Sequence, residues 1–358
     1  MRIEMRVLAI PFDMTSAGDA RGFARALAKA RRAARGRVRQ LAIVAKIEGP
    51  ATLEDRSRER AGRSLGRVLE RAALRRQCLE MLSAGCEGII TPCGTLFAAC
   101  EAPASRASGL VMGHGRSAAI PMRERASLRH VDAAADAVRA AMRAAGLTAR
   151  QTALVLIKSP ILLRGRGRHA RSTGASRGAA ALGAALALGE VPRPAGNSLG
   201  RNVELYSRRT MAFSGTETDR CEALVFGHRP GGDASLRLER AVLADLLDVR
   251  PLERLAASPG RLLALFLKAG IPPDGRLRGA RTTVLTSELA PDKQLRAAAG
   301  GIAAAVFGTT RAFVSGGAEH QAPPGGCLVA TIRKVRPARK RKRPAGFRLR
   351  GVFSNNGP

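Results

Sequence analysis

Three lysines constrain this chain more than any other feature. Lys46, Lys158 and Lys268 each close an apolar run: Leu41-Ala-Ile-Val-Ala-Lys46, Leu154-Val-Leu-Ile-Lys158 and Leu262-Leu-Ala-Leu-Phe-Leu-Lys268. They are separated by 112 and 110 residues, about the length of a small domain, so the chain reads as a tandem repeat. A second element follows each lysine: Ser83-Ala-Gly-Cys-Glu87, Phe213-Ser-Gly-Thr-Glu217 and Ser315-Gly-Gly-Ala-Glu319. Gly and Glu keep their places in all three, but the middle copy begins with Phe. Arg58, Arg177 and Arg296 recur 119 residues apart in the same order.

The expected organisation is a mixed α/β chain of three similar units, residues 1–105, 122–232 and 233–333, followed by a basic tail, 334–358. Each unit reads as strand, amphipathic helix, strand, helix and Gly turn. The first two lysine runs read as short buried strands, the third as a strand or a helix end. Leu65, Val68, Leu69, Ala72 and Leu79 mark a helical face in the first unit. Val131, Ala134, Val138, Met142 and Ala145, stopped by Gly146, mark one in the second. Breaker residues mark the joins at Pro103, Gly113 to Pro121, and Pro230-Gly-Gly-Asp233.

Composition narrows the function. Of 61 basic residues 53 are arginine, a ratio typical of GC-rich coding, and the net charge is +33. Ten basic residues and no acid lie between Arg333 and Arg350, a tail able to touch nucleic acid non-specifically. Aromatics make up only 3% and no recognition motif is present, which argues against nucleic acid as the main ligand. No apolar run reaches the ~18 residues of a membrane helix, and Arg2, Glu4 and Arg6 interrupt any signal-peptide core, so a cytoplasmic location is expected. The six cysteines form no CxxC pair, which argues against a zinc ribbon or a disulfide framework.

A lysine at the end of a buried strand loses hydration, which lowers its pKa. Beside a serine it becomes a general base for a nucleophile, and a following Gly exposes N–H groups for an oxyanion. Arginines nearby would hold carbonyl oxygens of a flat ligand in forked geometry. The competing reading is structural: lysines snorkelling from strand ends and Gly turns shared by duplicated domains.

Two stretches carry a family resemblance: Ser176-Arg-Gly-Ala-Ala-Ala-Leu-Gly183, and Val314-Ser-Gly-Gly-Ala-Glu-His-Gln321 with Gly325-Gly326. Together with Lys46-Ile-Glu-Gly, Lys158-Ser-Pro and Pro273-Asp-Gly-Arg-Leu-Arg-Gly279, they resemble the cyanuric acid hydrolase and barbiturase family over roughly residues 3–333. The resemblance implies three domains about a pseudo-threefold axis (the Toblerone fold), a homotetramer, and hydrolytic opening of a cyclic imide without a catalytic metal. By position it implies that Lys46, Lys268, Arg58, Arg177, Arg296, Ser83, Ala84, Ser315 and Gly316 line the substrate site. It also implies a structural Mg²⁺, expected through oxygens around Ala318 and Gln321 because Lys268-Ala-Gly270 offers no carboxylate.

In the family the second-domain lysine activates a serine at the position occupied here by Phe213. The expected catalytic pair is therefore Lys158 with Ser214, one residue late, with Phe213 in the pocket wall. The alternative is a paralogue with an emptied middle pair that binds planar cyclic imides, or only assembles, without hydrolysing them. His320 and the other histidines are expected to be structural. Glu87, Glu217 and Glu319 are expected to cap N–H groups or pair with lysines.

Overall fold

The continuous apolar runs that end in the three lysines do build strands, and in all three units. The structure, a computed structural model, describes residues 3–34, 36–50, 55–103, 109–163, 171–230, 234–270 and 272–335. The first unit contains β1 (Ile3–Asp13), α1 (Arg21–Ala33), β2 (Val38–Ile47), α2 (Ser57–Arg71), β3 (Cys78–Ala84) and β4 (Cys93–Pro103). The second contains β5 (Leu110–Ala119), α3 (Leu128–Ala145), β6 (Thr152–Pro160), the short pair β7 (Leu162–Leu163) and β8 (Arg171–Ser172), α4 (Thr173–Ala187), β9 (Thr210–Gly215) and β10 (Arg220–His228). The third contains β11 (Leu236–Leu243), α5 (Arg250–Ala257), β12 (Arg261–Ala269), the short pair β13 (Arg276–Leu277) and β14 (Ala280–Arg281), α6 (Pro291–Phe307), β15 (Phe313–Gly316) and β16 (Cys327–Lys334).

The three sheets share one topology, with strand orders β1-β4-β2-β3, β5-β10-β6-β9 and β11-β16-β12-β15. In each, the lysine strand pairs antiparallel with the last strand and parallel with the strand carrying the Gly motif. Three expectations need correction. Each unit ends in a further strand after the Gly turn rather than in the turn itself. The second unit starts at β5, ahead of residue 122, because Gly113 and Gly115 are strand residues and not breakers. A Cβ on either glycine would collide with the backbone of α3 at Ala141, so their smallness lets the helix lie against the sheet. Leu79, read as part of a helical face, lies on β3, whereas Leu65, Val68 and Leu69 do belong to α2. The basic tail from residue 336 onward lies outside the described residues.

Pleating divides each strand between two environments. Ala42, Val44, Leu154, Leu156, Ala264 and Phe266 enter one core drawn from all three units. Leu41, Ile43, Val155, Ile157, Leu265 and Leu267 face the helices on the outside. The sheets therefore enclose a common axis. Near it Phe97 meets Phe226 edge-on at 4.9 Å and lies 6.5 Å from Phe266, so the three units share an aromatic contact. Lys46, Lys158 and Lys268 occupy the next inward position of β2, β6 and β12, which places all three amines on the axial side.

Candidate active site

Register now decides which side chains meet. Lys46 stands opposite Ser83, Lys268 opposite Ser315, and Lys158 opposite Phe213. The three lysines are 1%, 0% and 2% exposed, respectively for Lys46, Lys268 and Lys158. Lys46 Nζ lies 3.3 Å from Ser83 Oγ and donates to Ala84 O at 2.9 Å. Lys268 Nζ lies 3.0 Å from Ser315 Oγ and donates to Gly316 O at 3.1 Å. Ala84 and Gly316 thus serve the outer pairs through their carbonyls, which orient the amines.

Burial, reinforced by the nearby Arg296 cation, brings Lys46 down to about 7. Burial, reinforced by Arg177, holds Lys268 well below the ordinary lysine range. A neutral amine keeps two N–H donors and a lone pair, so it can donate to the carbonyl while accepting the serine proton. Lys158 is different. It donates to Leu82 O of the first unit at 2.8 Å and pairs with Glu217 Oε1 at 2.5 Å. Burial lowers its pKa and Glu217 opposes that shift. Glu217 itself is held low by Lys158 and Arg58 despite its burial, so Lys158 serves as a counter-ion.

Lys158 and Ser214 do not form the expected pair. Ser214 is in register with Ser159 on the helix-facing side of the sheet, and its hydroxyl donates to Thr173 O at 3.4 Å. Successive side chains on a strand point to opposite faces, so a serine one residue late cannot replace one at position 213. Phe213 takes the inward place. Its ring meets Phe313 edge-on at 4.9 Å, and Lys268 Nζ lies 5.3 Å from its centroid.

The arginines and glutamates close a ring. Arg58 of the first unit donates to Glu217 of the second at 3.0 Å. Arg177 of the second unit binds Glu319 of the third through two bonds, of 2.9 and 2.7 Å. Arg296 of the third binds Glu87 of the first, at 2.6 and 2.5 Å. Each arginine comes from the second helix of its unit and each glutamate from the next unit's Gly motif. Gly is required there, because a Cβ at Gly85 or Gly215 would run into the glutamate carboxylate and one at Gly317 into Arg177. Glu319 is depressed to about 2, as Arg177 outweighs the effect of burial. The arginines expected to grip a ligand are therefore engaged across unit boundaries. The glutamates pair chiefly with arginine, and among the described residues only Glu217 of the three also pairs with a lysine. The expected oxyanion donor after Ser83 is likewise committed, since Gly85 N–H binds Ile47 O at 3.1 Å.

The third motif also clamps the second unit. His320 Nε2 accepts from Gly200 N–H at 2.8 Å, which leaves Nδ1 to donate to Leu205 O at 2.6 Å. That is the structural role expected of His320. Gln321 Oε1 accepts from Ala212 N–H at 2.6 Å, while its amide donates to Glu319 O. Ala318 O accepts from Gln321 N–H at 2.9 Å. Ala318 O and Gln321 Oε1 thus each accept one hydrogen bond, and no cluster of three His, Cys, Asp or Glu lies among the described residues, so the Mg²⁺ expected here would rest chiefly on neutral oxygens.

Sequence reading missed one pair, Ser159 with His130, 2.9 Å apart and fully buried. His130 Nδ1 accepts from Ala126 N–H, so Nε2 carries the proton and donates to Ser159 Oγ, which in turn donates to Ser176 O. That tautomer cannot act as a base toward Ser159. No spacing signal links residues on different elements of this kind.

Three βαβαββ units closed by an inter-unit arginine–glutamate ring, with two lysine–serine pairs on the axial side, define a threefold-repeat α/β protein. Comparison with known proteins agrees. Residues 9–334 match the model of the ring-opening amidohydrolase protein family. The cyanuric acid amidohydrolase of Pseudonocardia dioxanivorans is 35% identical over 314 residues, covering 82% of this chain and 90% of that protein. That of Methylobacterium sp. is 38% identical over 329 residues, covering 82% and 88%. A crystal structure of cyanuric acid hydrolase from A. caulinodans superposes with a TM-score of 0.82 at 32% identity, covering 92% of this chain and 99% of that one. A second solved cyanuric acid hydrolase, described as an innovation by structural concatenation, gives 0.82 at 28% identity, covering 93% and 100%. This chain belongs to the ring-opening amidohydrolase family.

Proposed function

We propose that this chain hydrolyses a planar cyclic amide or imide, cyanuric acid foremost, opening its ring by a serine–lysine mechanism at the threefold axis. The observation that supports this best is the pairing of two dehydrated lysine amines with serine hydroxyls, at 3.3 and 3.0 Å, on the axial side of the sheets. Such a site supplies a nucleophile and its base without a metal. Lys46, Lys268 and the outer serines would meet the carbonyls of a flat ring, while the Arg58, Arg177 and Arg296 pairs fix the geometry of the three units. The reading extends to a homotetramer in the cytoplasm, with nucleic acid touched only by the basic tail.

A second reading rests on Phe213. Because it occupies the place opposite Lys158 and packs on Phe313, the protein would bind a planar cyclic imide without turning it over. Loss of the ring's ultraviolet absorbance, with cyanuric and barbituric acid run in parallel, separates the two. Turnover of either supports the first reading. Saturable calorimetric binding without turnover supports the second, and neither binding nor turnover rejects both.

A further inference from the structure

We propose that in this chain the nucleophile is Ser83 of the first unit, with Lys46 as its base; this rests on the ring-opening reading above. Two observations distinguish this pair from the other two. The middle position has lost its serine to Phe213, and Lys158 is held as the counter-ion of Glu217. Ser315 is 8% exposed, whereas Ser83 is only half-buried, so a substrate reaches the first hydroxyl more readily than the third. Lys46, like Lys268, makes no ion pair among the described residues, and its donation to Ala84 O at 2.9 Å leaves the rest of the amine free to meet Ser83 Oγ at 3.3 Å. A base is most effective when its pKa lies near the working pH, and Lys46, at about 7, meets that condition.

The chemistry balances without any added reactant but water. Ser83 Oγ bonds to a ring carbonyl carbon as its proton passes to Lys46 Nζ. Collapse of the tetrahedral adduct breaks the ring C–N bond, and the proton moves from Lys46 to the leaving nitrogen. The ring is now an open chain held as an ester on Ser83. Water attacks that ester, gives one proton to Lys46, and leaves its oxygen on the product as a carboxyl group. Lys46 then returns the proton to Ser83 Oγ.

The test combines turnover with a probe that does not depend on it. The intact protein is treated with a small sulfonyl fluoride between pH 5.5 and 9, and the modified serine is located by peptide mass spectrometry. Cyanuric and barbituric acid turnover is followed for the parent, Ser83→Ala and Ser83→Cys. The proposal expects label on Ser83 that rises through pH ~7. It expects turnover to fall at least ~100-fold in Ser83→Ala and to return in part in Ser83→Cys. Label on Ser214 or Ser315, or turnover that survives Ser83→Ala, overturns it while the ring-opening reading stands. A pH-dependent label on Ser83 without turnover of either ring supports the activated pair and defeats the ring-opening reading. Absence of both label and turnover defeats both.

Discussion

Lys158 and Phe213 stand opposite each other on β6 and β9, at the register position where Lys46 meets Ser83 and Lys268 meets Ser315. One substitution therefore breaks the chemical equivalence of three units whose backbones remain equivalent. The Lys158 amine finds other partners, Leu82 O and Glu217, and so becomes part of the contact between the first two units.

Phe213→Ser puts a hydroxyl opposite Lys158 and opens a hole beside Phe313. Loss of the buried ring should cost about 3 kcal/mol, read as a lower urea midpoint with unchanged slope. Turnover of cyanuric acid should stay close to the parent level, because Lys158 remains paired with Glu217 and the Ser83–Lys46 pair is untouched. A variant as stable as the parent would show that Phe213 contributes little to the core.

The arginine–glutamate ring is expected to act as a lock between units. Arg177→Ala leaves Glu319 without its two-bonded partner and should cost about 3 kcal/mol, the lower end for a broken buried pair since Glu319 is partly exposed. The pH dependence follows from the depressed Glu319 carboxyl. Its contribution is fully present above the unfolded value near 4.5 and is lost as pH falls toward about 2. Urea midpoints from pH 6 to 2.5 should therefore converge for parent and variant at the acid end.

Lys46 gives a slope of the same sign in a higher pH window. Its pKa falls to about 7 in the fold against roughly 10.4 in the unfolded chain. Between those values the unfolded state holds more protons, so stability rises with pH across that window. Below pH 7 the fold must bury a cation. Lys46→Met should accordingly be more stable than the parent at pH 6 and inactive at every pH. The parent's kcat/KM should climb through pH ~7.

Gln321→Leu removes the acceptor of Ala212 N–H, which lies inside β9. An orphaned buried donor costs about 1–3 kcal/mol, and the Ala212 amide should exchange with solvent faster than its strand neighbours. Unchanged exchange at Ala212 would mean that this bond does not hold the edge of β9.

Much of this arrangement is legible in the chain. The lysine period and the Ser-x-Gly-x-Glu recurrence reflect local rules, alternation along a strand and the space a Gly leaves for a carboxylate. The same alternation explains why Ser214 faces the helices. What was not legible depends on contacts between distant segments. Arg296 and Glu87 are separated by 209 residues, and no spacing announces their bond. The Gly113 and Gly115 strand reads as a breaker until α3 is known to lie on it, and the proton arrangement at Ser159 requires Ala126 and Ser176 in place.

The most direct test is to quench the protein with cyanuric acid on the millisecond scale and map the covalent intermediate by peptide mass spectrometry. Ring opening on a serine releases no fragment before water adds, so one peptide should gain the whole mass of the substrate. The account predicts that gain on the peptide containing Ser83, and its loss in Ser83→Ala. A gain on the peptide containing Ser214 or Ser315, or turnover with no serine adduct under any quench time, would contradict it.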